Sequence, residues 1–373
     1  MAKSKILSAL LLYPISKVYG WVVAVRNAMF NRGMLTQHSF DIPVIVVGNI
    51  SMGGSGKTPH TEYIVDALAS QFHIGVLSRG YKRRTRGFVM ASPDSTPDAI
   101  GDEPYQIYTK FCHRGVRVAV CEDRVKGINM MRKLDPAINL IVLDDAFQHR
   151  YVKPTLAVVL MEYSRPAYAD KLLPYGRLRE PVTALDRADI VVVTKCPASM
   201  TPMEARIIRT NLNLMPYQRL LFSGFRYMPL VPLFPEEFPG GHGAQLSHLT
   251  RADSILAVTG VANPRPMIKY LRTYKAKVRI KRYSDHHHFS HSDMESILSK
   301  FTSMSGHTKI LVTTEKDAVR LRHNPCFPAE LRRCSYYLPV IVSFDEFNTE
   351  TLAGDIMQML PGKTAAYANQ ANS

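Results

Sequence analysis

Cysteine is sparse and unpatterned in this chain. Five are present, Cys112, Cys121, Cys196, Cys326 and Cys334, an odd count with no CxxC spacing. That excludes a disulfide framework and a cysteine-built zinc module, and it suits a reducing compartment. Acids are scarce against bases. The 31 Asp and Glu face 47 Lys and Arg, a formal charge of +16. Such an excess attracts nucleic acid, anionic membrane or a phosphorylated substrate. No helix-turn-helix, RNA-binding aromatic signature or zinc finger is present, so no nucleic-acid partner is expected. No protein partner is evident either. No apolar run reaches the roughly 20 uninterrupted residues of a spanning helix. The nearest, residues 6–25, is broken by Pro14, Lys17 and Gly20. Internal repeats and long low-complexity tracts are absent. With 373 residues and 46% hydrophobic content the chain supports a large core, and its length points to two lobes.

The densest local signal is VIVVGNISMGGSGKTP at residues 44–59. Val44, Ile45, Val46 and Val47 read as a buried strand, and Tyr63, Ile64, Ala67 and Leu68 as a following helix. Between them lies a glycine-rich turn ending in Lys-Thr, the layout of a phosphate-binding loop. Gly53, Gly54 and Gly56 let backbone N–H groups turn toward a polyphosphate, and the helix N-terminus adds partial positive charge. Lys57 reaches the outer phosphates and the Thr58 hydroxyl suits Mg²⁺. Ser51 stands where the usual pattern has glycine. A second signal, Leu140-Ile141-Val142-Leu143-Asp144-Asp145, is a buried strand ending in two carboxylates, placed to hold the metal of the nucleotide.

Other stretches carry polar chemistry at strand ends. Ser78-Arg79-Gly80-Tyr81 opens a basic loop with Lys82, Arg83, Arg84 and Arg86, read as a surface for anionic substrate or headgroups. Gly101-Asp102-Glu103-Pro104 opens a helix, where paired acids commonly serve as caps but also supply a base. Lys195 reads as a surface lysine. Strands alternating with helices predict an open, mostly parallel sheet with helices on both faces. Proline-rich residues 216–248 read as a linker. A second, smaller α/β lobe follows, with Asp285-His286-His287-His288 in one of its loops. Consecutive histidines point to opposite faces, which argues against a metal site there. The expected division is an N-terminal helix over 1–33, a kinase lobe over 34–220, a second lobe with linker over 221–360, and a disordered tail over 361–373. The N-terminal segment, with Trp21, Tyr13 and Tyr19 and flanking cations, reads as a helix in the membrane interface; a buried helix is the alternative. No small-residue cleavage site marks it as a signal peptide.

Taken together, VGNISMGGSGKTP, LSRGY, GDEP, DDAFQH, LREP, TGVANP, DHHHFS and TEKDAVRL resemble the tetraacyldisaccharide 4'-kinase family, the lipid A 4'-kinases of Gram-negative bacteria. The resemblance runs from the N-terminal segment to about Leu321. Ser51 is usual in that family. Ala146, and Tyr175-Gly176-Arg177, depart from its commoner residues. The resemblance implies a P-loop fold using ATP and Mg²⁺ to phosphorylate a lipid disaccharide 1-phosphate. The place implied is an anionic membrane, at the cytoplasmic face of the inner membrane. It implies Asp102 as catalytic carboxylate with His286, or else His287, as partner. Nucleotide contacts would come from Ser51, Met52, Gly53, Gly54, Ser55, Gly56, Lys57 and Thr58. Metal ligands would be Thr58, Asp144 or Asp145, and Glu180. Substrate contacts would come from Asn49, Arg79, Tyr81, Gln148, His149 and Arg179.

Overall fold

A computed structural model describes residues 2–238, 244–344, 348 and 351–371. The chain forms two compact units, one built from 1–225 and 342–373, the other from 226–341. In the first unit the chain begins with α1 (Ala2–Asn31) and runs through β1 (Val44–Asn49), α2 (Lys57–Leu68), β2 (Ile74–Ser78), β3 (Val89–Met90), α3 (Pro97–Ile100) and α4 (Asp102–Phe111). It continues through β4 (Arg117–Val120), α5 (Arg124–Leu134), β5 (Leu140–Asp144), β6 (Leu156–Glu162), β7 (Ile190–Thr194), α6 (Pro202–Leu212) and β8 (Arg219–Tyr227). The second unit holds β9 (Val231–Pro232), β10 (Ser254–Thr259), α7 (Arg265–Leu271), β11 (Lys277–Arg282), α8 (His291–Thr302), β12 (Lys309–Thr314), α9 (Glu315–Arg322), α10 (Ala329–Arg332) and β13 (Ser335–Leu338). The chain then returns to the first unit with β14 (Val340–Phe344) and α11 (Leu352–Ala371).

The nine-stranded sheet has the order β14-β8-β7-β6-β1-β5-β2-β4-β3. From β8 to β4 every pairing is parallel, and the edge strand β3 runs antiparallel to its neighbour β4. The period-2 rule explains its core. Val44 and Val46 of β1 face one apolar layer, packed by Ile128 and Met131 of α5 and Ile208 of α6. Ile45 and Val47 face the other, packed by Ile64 and Leu68 of α2, Ile107 of α4 and Leu352, Ile356 and Leu360 of α11. A parallel sheet covered on both faces needs apolar residues at every strand position, which is why VIVV shows no alternation. Strand β1 lies between β5 and β6, where the order reverses. Ligands of such sheets bind at the carboxyl ends of the strands at that reversal. The second unit has a five-stranded sheet, β11-β10-β12-β13-β9, parallel apart from the β9 edge.

The observed division differs from the expected one. Part of the predicted linker is β8, nine residues long and buried at Leu221, Phe222 and Ser223; residues 239–243 of that stretch lie outside the described residues. The predicted last strand, 336–344, is two strands in two sheets, because Pro339 has no N–H for a continuous ladder. Residues 342–360 belong to the first unit rather than the second lobe. The stretch expected as a disordered tail is helical to Ala371, with Pro361 inside the helix. Alanines at 365, 366, 368 and 371 favour that state; residues 372 and 373 lie outside the described residues.

Candidate active site

The glycine loop takes the conformation its residues were selected to allow. Gly53 has φ 118° and Gly56, the N-cap of α2, has φ 85°. Both values are costly for any residue with a Cβ. At Gly56 a Cβ would also come within 2.8 Å of the Phe225 ring. Asn49, at the end of β1, is fully buried. Its Nδ2 donates to Ser55 Oγ at 2.8 Å, and Gln148 Nε2 donates to its carbonyl at 2.7 Å. Asn49 and Gln148 therefore brace the loop. Residues 50–52 are held on the other side by the 171–181 loop. Met52 N–H donates to the Arg177 carbonyl and Arg179 N–H to the Ile50 carbonyl, both at 2.7 Å.

Two acids meet the loop at the end of β5. Lys57 Nζ lies 3.5 Å and Arg179 Nη1 3.6 Å from Asp145 Oδ1. These are ion pairs too long for hydrogen bonds, so that buried oxygen still lacks a donor. Asp145 itself sits at φ 47°, a left-handed conformation that turns its side chain back over the strand end. Asp144 is 1% exposed. Thr61 donates to its Oδ1 at 3.0 Å, while its Oδ2 is buried without a hydrogen-bond partner. Burial first, then the charges of Glu103 and Asp145, raise its pKa to about 7; Lys57 and Thr61 oppose the rise. Thr58 and Thr61 are three residues apart and share one face of α2. A buried carboxylate with an orphaned oxygen, a second carboxylate beside it and a hydroxyl from the helix N-terminus fit a hard divalent cation that takes its remaining ligands from phosphate and water. Among the described residues no group of three or more His, Cys, Asp and Glu is placed to hold a metal ion alone.

The influence of Glu103 on Asp144 puts the Gly101–Pro104 turn beside the same strand ends. Gly101 has φ 93°, and a Cβ there would meet the Tyr81 carbonyl at 3.2 Å. This close approach packs the turn against Gly80 and Tyr81. Asp102 is half-buried in the first turn of α4, where the helix dipole favours a carboxylate. Arg79 and Tyr81 are exposed nearby. His149 accepts a 3.4 Å contact from the Arg124 N–H. Burial, followed by the Arg124 charge, pushes its pKa down to about 4, and Arg26 and Arg79 act in the same sense. The charges of Arg124, Arg26 and Arg79 outweigh that of Asp123 at this imidazole, so the corner is net cationic.

Helix α1 closes that corner. Tyr19 Oη donates to the Arg179 carbonyl at 2.8 Å, Ser16 Oγ to the Leu172 carbonyl at 2.8 Å, and Asn27 Nδ2 to Glu180 Oε2 at 3.0 Å. Glu180 is 3% exposed and also pairs with Arg187 at 2.6 Å. Asn27 and Arg187 both engage Oε2, while Oε1 is buried without a hydrogen-bond partner. The outer face of α1 is apolar and open. Leu11, Ile15, Val18, Val22 and Val25 recur at helical spacing and are 62%, 54%, 63%, 53% and 40% exposed, with Trp21 at 68%. No helix among the described residues is long and apolar enough to cross a membrane.

In the second unit His286 sits at φ 57° with its N–H on the Gly260 carbonyl. Arg320 Nη2 lies 2.8 Å from its Nδ1, and Lys316 Nζ 2.9 Å from its Nε2. Guanidinium and ammonium are both donors, so two cations hold the ring from its two nitrogens. His287 is committed elsewhere: Nε2 is 2.9 Å from Asp293 Oδ2, and its ring stacks on Tyr283 at 4.6 Å.

The family profile described as tetraacyldisaccharide-1-P 4'-kinase matches residues 8–359. The chain belongs to the tetraacyldisaccharide-1-P 4'-kinase family. It is 49% identical over 347 residues to the tetraacyldisaccharide 4'-kinase of Bacteroides thetaiotaomicron, covering 90% of each chain. It is 43% identical to that of Phocaeicola vulgatus, covering 92% of this chain and 93% of the relative. The fold is shared with a crystal structure of LpxK from Aquifex aeolicus in complex with ATP. That match has a TM-score of 0.71 and 24% identity, and covers 96% of this chain and 99% of the other.

Within the tetraacyldisaccharide-1-P 4'-kinase frame, three residues around the phosphate loop escaped the sequence reading. His60 is fully buried. Its Nδ1 is 2.7 Å from the Gly56 carbonyl and its Nε2 2.8 Å from Ser223 Oγ. The carbonyl can only accept, so Nδ1 carries the proton and Ser223 donates to Nε2. Burial lowers its pKa to about 4, so it stays neutral. Thr194 Oγ1 donates to the Ser55 carbonyl at 2.8 Å. Lys195, read as a surface lysine, reaches the Gly54 carbonyl and pairs with Glu162 at 3.4 Å. The departure at Tyr175 also gains a reason: its ring meets Tyr13 of α1 edge-on at 5.7 Å. Gly176 is required there because a Cβ would collide with the Lys171 carbonyl.

Proposed function

We propose that the chain transfers the γ-phosphate of ATP to the 4'-hydroxyl of a tetraacyldisaccharide 1-phosphate, the kinase step of lipid A biosynthesis for which its family is named. The observation that carries the chemistry is the meeting of Lys57, Asp145 and the unsatisfied Asp144 carboxylate at the central strand ends. In this reading the loop N–H groups of 53–57 and Lys57 would hold the β- and γ-phosphates, and Asp144, Asp145 and Thr58 would hold Mg²⁺, which when bound would supply charge neutralisation to the transferring phosphoryl group. Asp102, in the first turn of α4, accepts the proton of the attacking hydroxyl. His286 of the second unit is the other residue this reading assigns to catalysis. Because the transition state is loose, positioning and charge compensation carry most of the rate.

The chain is further proposed to rest on an anionic membrane surface at the face where ATP is available, the cytoplasmic face of the inner membrane. Its α1 stripe would lie among lipid headgroups. Burying large apolar side chains gives about 1.5–3 kcal/mol each at full burial, enough for a reversible interfacial anchor. The test is to supply labelled ATP and the lipid disaccharide 1-phosphate in detergent micelles. Label recovered on the disaccharide supports the reading; label recovered only as inorganic phosphate refutes it.

A further inference from the structure

On sequence the basic loop after β2 reads as a surface for anionic substrate or headgroups. Two of its cations are paired: Arg83 with Glu122 at 2.6 Å, its side chain 2% exposed, and Arg84 with Asp98 at 3.1 Å. Arg79, Lys82 and Arg86 stay exposed. A longer run of unpaired charge lies in the second unit. Residues 254–284 contain eight Lys and Arg and no Asp or Glu, half of the chain's net +16. Arg265 and Lys269 of α7 and Arg272 at its C-cap follow i, i+4, i+7 spacing and are exposed, while Met267, Ile268 and Leu271 are buried beneath. Lys275 and Lys277 continue the run into β11, which ends its sheet, and Arg279 and Arg282 are exposed along that edge strand. Among the described residues none of these seven side chains is paired with a carboxylate. Lys281 alone is engaged, with Ser296 and over the Tyr283 ring.

Cations on an edge strand discourage pairing with other chains. That accounts for β11 but not for the stripe on α7, which has no open edge to protect. We propose that the α7–β11 face of the second unit is a membrane-docking surface for anionic lipid headgroups, separate in sequence from the apolar stripe of α1. The occupant is a lipid surface because the acceptor substrate is lipid-borne, so this inference rests on the proposed function. Its physics is simple. Each Lys or Arg near an anionic leaflet contributes about 1 kcal/mol, and the attraction fades within a Debye length as salt rises.

Two triple variants test it, Arg265→Gln/Lys269→Gln/Arg272→Gln and Lys275→Gln/Lys277→Gln/Arg279→Gln. Each is sedimented with phosphatidylcholine vesicles with and without phosphatidylglycerol. Partition onto the phosphatidylglycerol vesicles is expected to fall on the order of 10²-fold at low salt for each triple, roughly fivefold per cation. Partition onto neutral vesicles, melting temperature and turnover in neutral micelles should stay unchanged. If neither triple weakens binding to the anionic vesicles, the cations are only solvated charge and the inference is overturned. Salt-sensitive duplex DNA binding that the triples abolish, with vesicle binding unaffected, would also overturn it in favour of a nucleic-acid surface. Failure of the wild type to phosphorylate the disaccharide would sink the functional reading instead, and vesicle partition would still decide this surface.

Discussion

Replacing Asp144 by Asn is expected to stabilise the metal-free protein while disabling it. Burial raises the pKa of Asp144 from 3.8 to about 7. A carboxyl that holds its proton more tightly in the folded state penalises folding as pH rises. Below the unfolded value both states are protonated and the penalty is absent; it grows through the interval from about 4 to 7 and is complete above. Three pKa units at 1.36 kcal/mol each set an upper bound of about 4 kcal/mol, and relaxation of the surroundings brings the expected gain to about 2–4 kcal/mol. Asn keeps an oxygen for Thr61 and removes the charge that Glu103 and Asp145 repel. Urea titrations with a metal chelator at pH 8 and pH 4.5 measure this directly. The variant should be the more stable protein at pH 8, with the difference shrinking toward pH 4.5. Adding Mg²⁺ and ATP should favour the wild type, since ligand binding stabilises by about 2.7 kcal/mol at a hundredfold excess over Kd. Turnover should fall roughly 10²-fold or more, several kcal/mol of charge stabilisation being lost. Equal or lower stability of the variant at pH 8 would refute the claim that Asp144 is a carboxylate held in deficit for a cation.

Other perturbations follow from the same geometry. His60→Leu removes the side-chain donor to Gly56 and strands the Ser223 hydroxyl, a cost of about 1–3 kcal/mol. The KM for ATP should rise while that for the disaccharide stays constant, and His60→Asn should restore part of the loss; an unchanged KM for ATP counts against a role in shaping the loop. Arg320→Met removes the guanidinium that holds His286 Nδ1. The kcat should fall roughly 10–100-fold with KM for ATP unchanged, as when a histidine loses the partner that orients it. An unchanged kcat would contradict a catalytic role for His286. Val18→Gln with Val22→Gln should lower partition onto neutral vesicles roughly tenfold or more, given the apolar area removed from the stripe. Unchanged partition would show that α1 is no anchor.

What the sequence made legible was local or periodic. VIVV, GGSGKT and LIVLDD announce themselves because a doubly covered strand must be apolar at every position and a phosphate loop must have glycines. The two-layer core of the first unit follows from those strands alone. What stayed hidden depends on contacts between distant segments. His60 lies one residue past the recognised motif and reads as an ordinary helix position; only the approach of Ser223, 163 residues away, makes it a brace of Gly56. Lys195 reads as solvated until its reach to the Gly54 carbonyl is seen. Glu180 reads as a free carboxylate until Asn27 and Arg187 are seen on its Oε2. Arg83 belongs to a run of cations whose formal charge says nothing of its burial against Glu122. The return of α11 to the first unit leaves no local trace beyond Leu352, Ile356 and Leu360 at helical spacing.

The account turns on Asp102 as the group that takes the proton of the attacking hydroxyl. The measurement that tests this most directly is the turnover of Asp102→Ala on the lipid disaccharide in micelles, alongside its affinity for ATP. Loss of a general base predicts a fall in kcat of about 10²–10⁴-fold with ATP affinity retained. Near-normal turnover with ATP still bound would contradict it.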